Sequence, residues 1–445
     1  MELAGLIPTF GSVAFTLIAF IVALSIIVAV HEYGHYIVGR WSGIKADVFS
    51  VGFGPVLYSR MDRHGTKWQI AALPFGGYVK FRGDADAASG KDAEAMSALS
   101  EDERRSSMHG APLWARTATV AAGPIFNFIL SFLVFAALLM VRGVASDPLT
   151  IDEIRDVPGG AGGLQSGDVI LAINGDPIPP TDEFAGFGDA LEAEQRLTYT
   201  VRRDGREQVV DGPWLYPPLA TGISPGSAAE EAGLLAGDVV MGVDGNAIFD
   251  FEELQGAIRG SGGEAVTLSI WRDGAEETIS LTPRRMDIPL PDGGFETNFM
   301  IGMNGGMVIV PATETPGLGQ AVVGGVDQVV FIIRSSISGL YHMIAGKIST
   351  CNISGPVGIA ETSGQAASQG WITFIWFIAV LSTAVGLLNL FPIPVLDGGH
   401  LVFYAWEAVT GRPPSDTALR YLMAGGLTLM IALMIFAVTN DLFCP

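Results

Sequence analysis

His31-Glu32-Tyr33-Gly34-His35 has the pattern HExxH. On a helix, positions i and i+4 differ by about 40° of rotation, so both imidazoles leave one face and can share a metal ion. Imidazole nitrogen suits zinc, and Glu32 beside the pair is placed to act as base on a water at the metal. A catalytic zinc takes three protein ligands and keeps one position open, so a third donor must come from elsewhere in the chain. Asp397 is the leading candidate, at the end of Asn389-Leu-Phe-Pro-Ile-Pro-Val-Leu-Asp397-Gly-Gly-His400, and His400 is its competitor. Cys351 and Cys444 have no zinc-ribbon spacing and are too few for a disulfide scaffold, although one bridge between them is compatible with the sequence.

The elements that must position these groups are apolar. No charged residue separates Glu2 from His31, and Val13 to Val30 is long enough, at about 1.5 Å per residue, to approach a hydrocarbon core of roughly 30 Å. No basic segment precedes this run and no small-residue cleavage site follows it, so it reads as a span rather than a signal peptide. Further spans are expected at Thr117 to Val141, Trp371 to Leu396 and Tyr421 to Asn440. Ala321 to Ile348 is interrupted by Asp327, Arg334, His342 and Lys347 and reads as an amphipathic helix on the interface. HExxH then lies at the end of the first span, where two histidines and a glutamate are costly to bury and functional by default. Pro392 and Pro394 break the third span, and non-helical backbone at membrane depth is tolerated only where it lines protein or a wet cavity.

Composition agrees with a membrane protein, at 49% hydrophobic and 16% charged residues. The net charge of −21 excludes non-specific nucleic-acid binding, which needs a basic surface. Lys and Arg are densest between Arg40 and Arg116, so the loops joining spans 1–2 and 3–4 are expected in the cytoplasm. Both termini and the region Arg142 to Gly370 are then exported. That region holds most of the acidic excess, which reads as a solvated acidic surface.

Inside it, Gly163 to Ile178 (GLQSGDVILAINGDPI) and Gly233 to Ile248 (GLLAGDVVMGVDGNAI) match residue for residue in spacing, and each precedes a further Asp-Gly turn, at Asp204-Gly205 and Asp273-Gly274. These are two copies of one small domain with a strand-turn-strand signature. The pattern resembles PDZ domains, which take an extended peptide as an added edge strand and often capture its C-terminal carboxylate. Pro225 lies nine residues before Leu234 but Pro158 only six before Leu164, so the first copy has the shorter peptide-facing segment. A spacer or size-filter role is as good a reading of that copy as peptide capture.

With HExxH on span 1, NxxPxPxxDG on span 3 and paired PDZ copies between spans 2 and 3, the chain resembles the site-2 protease family of intramembrane zinc metalloproteases nearly end to end. The resemblance implies His31, His35 and Asp397 as zinc ligands, Glu32 as catalytic base and Asn389 as a group that helps hold substrate or the oxyanion. Ser50-Val-Gly52-Phe-Gly54 and Leu73-Pro-Phe-Gly-Gly-Tyr-Val79, flanking a turn at Asp62 to Gly65, resemble the family's membrane-reentrant β-hairpin, whose free edge could pair with an unwound substrate through the Gly52 to Gly54 segment. Gly123-Pro-Ile-Phe-Asn127 resembles the family's GPxxN segment and brings Asn127 near the site, as a substrate contact or as polar glue between helices. Asn352-Ile-Ser-Gly-Pro-Val-Gly358 also matches, without a chemical role.

The expected architecture is therefore a polytopic α-helical membrane protein with four transmembrane helices, a reentrant β-hairpin and two tandem PDZ domains between spans 2 and 3. Its divisions are 1–39 (first span, HExxH), 40–116 (cytoplasmic loop with the hairpin), 117–141 (second span), 148–215 and 219–283 (PDZ copies), 284–370 (linker and interfacial helix), 371–398 (third span), 399–420 (cytoplasmic loop) and 421–445 (fourth span and exported C-terminus). The expected function is zinc-dependent hydrolysis of peptide bonds in or near transmembrane segments of membrane-anchored regulators, anti-sigma factors among them, and of remnant signal peptides. The expected setting is the bacterial inner membrane, with the protein a monomer in contact with lipid and with single-span protein substrates. The rival reading is a non-proteolytic PDZ adaptor with a structural zinc site. Glu32 argues against it, because a structural site needs no base.

Overall fold

An apolar run can enter a bilayer only if its backbone hydrogen bonds close within the segment. In the computed structural model, which describes residues 6–84, 100–180, 183–224, 226–290 and 294–443, these runs are helices. The longer helices of the whole chain, apolar or not, are α1 (Leu6–Trp41), α2 (Leu113–Arg142), α3 (Phe184–Ala190), α4 (Phe251–Gly260), α5 (Leu318–Ile344), α6 (Pro356–Ser368), α7 (Trp371–Asn389), α8 (Asp397–Thr410) and α9 (Asp416–Phe443). By length and composition α1, α2, α5, α7 and α9 could each cross a membrane. The chain divides into two units, Met1–Leu138 with Leu318–Ile344 and Ser349–Pro445, and Leu139–Gly317 with Ala345–Ile348.

In the first unit, large apolar side chains face outward. Ile18 on α1, Leu133 on α2 and Ile435 on α9 are all exposed, and α9 buries only Gly426 and Asn440. Between helices the contacts are small or interdigitated: Ala23 and Ile27 of α1 meet Ile378 of α7, and Phe135 of α2 meets Val329 of α5 and Ala379 of α7. Hydroxyls link α2 to α7, with Ser131 Oγ donating to the Ala379 carbonyl at 2.7 Å and Ser382 Oγ to the Asn127 carbonyl at 3.0 Å. α7 ends at Asn389 because Pro392 and Pro394 offer no N–H. The chain then turns, the Leu396 N–H donating to the Ile393 carbonyl at 2.8 Å, and restarts as α8 at Asp397. The break expected at Pro392 and Pro394 thus takes the form of a helix, a proline turn and a second helix, which runs to Thr410 through a stretch expected as a loop.

The hairpin Ala46–Met61 and Lys67–Phe81 is more than two strands. Val48 to Val51 lies against both Gly77 to Lys80 and Lys67 to Ile70, while Val56 to Met61 returns along Lys67 to Ala71. Gly52, at φ +92°, makes the bend that permits this; a Cβ there would stand 2.8 Å from the Leu73 carbonyl oxygen. Asp62 at the tip accepts from Tyr36 Oη of α1 at 3.0 Å and from Trp68 Nε1 at 3.1 Å, tying the hairpin to the helix of the HExxH.

The Asn352 to Gly358 motif acquires a structural role. At the start of α6 the N–H groups of Gly355, Val357 and Gly358 converge on the Asp441 carboxylate of α9 at 2.7, 3.0 and 3.1 Å. Asn440 Nδ2 donates to the Thr350 carbonyl at 2.7 Å. The motif therefore receives the last turns of α9, with an acidic group placed against the positive end of a helix. Cys351, beside it, is disulfide-bonded; Cys444 lies outside the described residues, as does Pro225.

In the second unit each repeat copy forms a four-stranded antiparallel sheet, and both explain the Gly-Asp of the motif identically. Arg203 holds Asp168 with Nε and Nη2, each at 2.6 Å, and Arg272 holds Asp238 at 2.7 and 2.6 Å. The same Arg Nη2 also donates to the carbonyl of Gly163 or Gly233. Asp168 is buried, which works against ionisation, but the Arg203 guanidinium and the Gln165 amide hold its carboxyl below the usual carboxylate range.

The stretch from 284, expected as a linker, is not one. Arg284–Pro289 pairs with Phe295–Met300 as a hairpin, Met303–Asn304 pairs with Gly222–Ile223 of the second copy, and Ile309–Pro311 pairs with Ile151–Ile154 of the first. One returning segment thus supplies an edge to both copies, and Thr313–Glu314 then pairs with Val144–Ala145. Val308 and Ile309 are fully buried in the first copy's core with Leu149, Ile151 and Tyr199.

Candidate metal centre

α1 carries His31 and His35 one turn apart, well inside the helix, and α8 opens with Asp397. The three come together. His31 Nε2 and His35 Nε2 are 3.1 Å apart, and Asp397 Oδ2 lies 3.2 Å from the first and 3.5 Å from the second. Asp397 Oδ2 is buried and neither approach gives it a hydrogen bond. Three ligand atoms at about 2.0–2.1 Å from a tetrahedral zinc would be roughly 3.3 Å from one another, which these edges bracket. Among the described residues this is the one group of three or more His, Cys, Asp or Glu side chains placed to hold a metal ion. His400 is outside it, three residues into α8 and edge-on to Phe403.

The far nitrogens of both rings are held. His35 Nδ1 donates to the Thr119 carbonyl of α2 at 2.8 Å, which leaves the Nε2 lone pair for a metal. His31 Nδ1 meets the Asn127 amide at 3.2 Å, and Asn127 Oδ1 is buried without a partner. Rotating that amide by half a turn would put Oδ1 opposite an Nδ1–H, the arrangement a metal-holding His31 requires. Asn127 is thus placed on a histidine rather than on open space where a substrate would lie.

Gly123 has a part that sequence reasoning missed. A Cβ there would stand 2.4 Å from His35 Nε2 and 2.8 Å from His31 Cε1, so only glycine lets α2 lie flat against both imidazoles. The signal was its position in the GPxxN segment, four residues before Asn127. Glu32, half-buried beside the pair, receives the backbone N–H of Val79 from the hairpin.

The remaining expected site residues are not brought to the triangle by any contact described. Asn389 Nδ2 bonds back to the Val385 carbonyl of its own helix at 3.0 Å. Gly52 and Gly54 both have positive φ and serve the bend of the hairpin.

The sequence profile of peptidase family M50 matches residues 19–433. A Rhizobium meliloti protein named "Putative zinc metalloprotease" is 36% identical over 432 residues, covering 96% of each chain. An Agrobacterium fabrum protein of the same description is 34% identical over 437 residues, covering 96% of this chain and 95% of its own. The regulator of sigma-E protease RseP of Salmonella typhimurium is 31% identical over 466 residues, covering 97% of this chain and 99% of its own.

Proposed function

Because this chain belongs to peptidase family M50 and is an intramembrane zinc metalloprotease, we propose that His31, His35 and Asp397 hold its zinc and that Glu32 is its catalytic base. The observation that carries this is the triangle of 3.1, 3.2 and 3.5 Å closing on an Asp397 oxygen that has no hydrogen-bond donor. Bound there, zinc supplies Lewis acidity, polarising the scissile carbonyl and making water a nucleophile at neutral pH. Glu32 takes the proton of the attacking water and returns it to the leaving amine. Thr119 and Asn127 hold the far ring nitrogens, so that both Nε2 atoms point inward. Asn389, at the end of α7 before the proline turn, has a free carbonyl oxygen and one further N–H and is assigned to steadying the substrate or the oxyanion.

The substrate class is a peptide bond in or next to a transmembrane helix. Such a helix must unwind before its carbonyls are open to attack, and the exposed Val56 to Met61 edge of the hairpin is where an unwound strand could pair. By resemblance to the site-2 protease family, the proposed substrates are membrane-anchored regulators first trimmed on their exported side.

The topology proposed is four spans, α1, α2, α7 with its proline turn, and α9. The reasoning is one of parity. His31 lies in the second half of α1 and Asp397 follows the end of α7, so their contact requires α1 and α7 to run the same way. An even number of crossings then separates the end of α2 from the start of α7. α6, at 13 residues, is about 20 Å long and too short to be a second crossing. α5 is therefore assigned to lie along the bundle rather than traverse it. Positive charge in the 40–116 loop puts the metal centre toward the cytoplasm and the PDZ-like unit outside.

Glu32→Gln tests the assignment. The amide fills the same space but cannot accept a proton, so the purified variant should keep its zinc and fail to cleave a single-span substrate. Wild-type turnover by that variant would remove Glu32 from the role of base.

A further inference from the structure

α8 opens with Asp397, yet little apolar packing holds it. Val402, Trp406 and Val409 are 50%, 57% and 87% exposed, and only Gly398 and Gly399 are buried. Leu401 and Tyr404 rest partly buried on the cluster around Tyr36 and Ala115. Among the described residues, the polar tie between the side chains of α8 and α2 is an ion pair. Arg116 of α2 gives Nη1 to Glu407 Oε2 at 3.0 Å and Nη2 to Oε1 at 2.7 Å, with the two side chains 15% and 17% exposed. Its Nε donates to the Ala111 carbonyl at 3.1 Å, and its guanidinium lies 5.2 Å from the Tyr404 ring centre. Every arm of the guanidinium is thereby fixed.

A planar fork on a carboxylate sets orientation as well as distance, which a lysine ammonium cannot do. Arg116 precedes Thr119, which holds His35, and Gly123, which walls both imidazoles, on the same continuous helix. Glu407 follows Asp397 on the other. The pair therefore links two rigid helices that each carry part of the metal centre. We propose that Arg116 and Glu407 are positioning residues for the metal centre: their bidentate ion pair sets the register of α8 on α2 and so places Asp397 Oδ2 against the two imidazoles. The proposal rests on the assignment of Asp397 as a zinc ligand. An exposed ion pair would contribute little, whereas this one is mostly buried and governs a helix with few other anchors.

The test is zinc affinity of the purified full chain in detergent, by competition with a chelator, with helix content followed by circular dichroism. Arg116→Ala and Glu407→Gln are each expected to weaken zinc binding by about tenfold or more, as loss of supporting contacts around ligands does elsewhere. Arg116→Lys, which keeps the charge and the fold but not the fork, should fall between these and wild type. Exchanging the two residues, Arg116→Glu with Glu407→Arg, should restore affinity to within about threefold of wild type, because the planar fork is re-formed from the other side. Wild-type affinity in the single variants, or an exchange no tighter than the singles, would overturn the proposal. Asp397→Ala in the same assay separates the two ideas. If it binds zinc like wild type, the ligand assignment fails; if it loses zinc while the Arg116 and Glu407 variants do not, only the positioning role fails.

Discussion

Gly123→Ala adds one methyl group at the face of α2 that touches the metal centre. Its Cβ would lie 2.4 Å from His35 Nε2 and 2.5 Å from His35 Cε1, against an ordinary heavy-atom contact of about 3.5 Å. The ring or the helix must therefore retreat by about 1 Å, while a metal site tolerates only about 0.2 Å in its ligand distances. If the ring swings away, His35 leaves the triangle. If α2 retreats instead, the Thr119 carbonyl moves off His35 Nδ1 and Asn127 moves off His31 Nδ1, and both imidazoles lose their orientation. Either way, zinc affinity should fall by about 100-fold or more, the upper end of what loss of supporting contacts causes. The fold should survive, since overpacking at one position costs about 1–3 kcal/mol. The assay is chelator competition on the purified chain, with Gly425→Ala as control, because a Cβ at Gly425 in α9 meets nothing within 4 Å. Wild-type zinc affinity in Gly123→Ala would refute the view that α2 shapes the centre.

Asp168→Asn removes the carboxylate held by Arg203 Nε and Nη2 and should lower the denaturant midpoint of the repeat-containing unit in unfolding of the full chain. For the wild type, the folded Asp168 carboxyl titrates below its ordinary 3.8, so its contribution is present above that pH and lost as pH falls through the lower folded value; unfolding midpoints measured between pH 7 and 3 should decline at the acid end, and an Asp168→Asn chain should show less of that decline. Excising residues 146–312 should leave the zinc and basal proteolysis in place but allow cleavage of substrates whose exported domain has not been trimmed, as read by comparing full-length and pre-trimmed substrates in cells. The cut is placed there because Ala145 and Thr313 are direct cross-strand partners, which a two-residue Asn-Gly turn put in place of the excised segment can join; a folded deletion that still discriminates would place the filter elsewhere.

What the sequence discloses about this molecule depends on how local each cause is. HExxH is legible because both histidines and Glu32 sit within one helical turn, where rotation per residue alone decides which face they share. The choice of Asp397 over His400 is not local. It needs the proline turn after Asn389, which starts α8 at Asp397 and leaves His400 almost a full turn into the helix. The repeat is legible because Asp168 and Asp238 recur in one frame, but their partners Arg203 and Arg272 lie 35 and 34 residues away, beyond any periodic signal. The returning strands are shorter still, two or three residues each at Met303–Asn304 and Ile309–Pro311, too few for alternation to register. Gly123 and Gly52 are identified only by what a side chain would strike, and that depends on neighbours far along the chain.

The central claim is that two imidazoles of α1 and one carboxylate of α8 hold the zinc. Metal content of the purified full chain, measured by mass spectrometry for wild type, Asp397→Ala and His400→Ala, tests it most directly. The account predicts stoichiometric zinc in wild type and in His400→Ala, and zinc largely lost from Asp397→Ala after dialysis against a chelator. Zinc retained by Asp397→Ala and stripped from His400→Ala would contradict it.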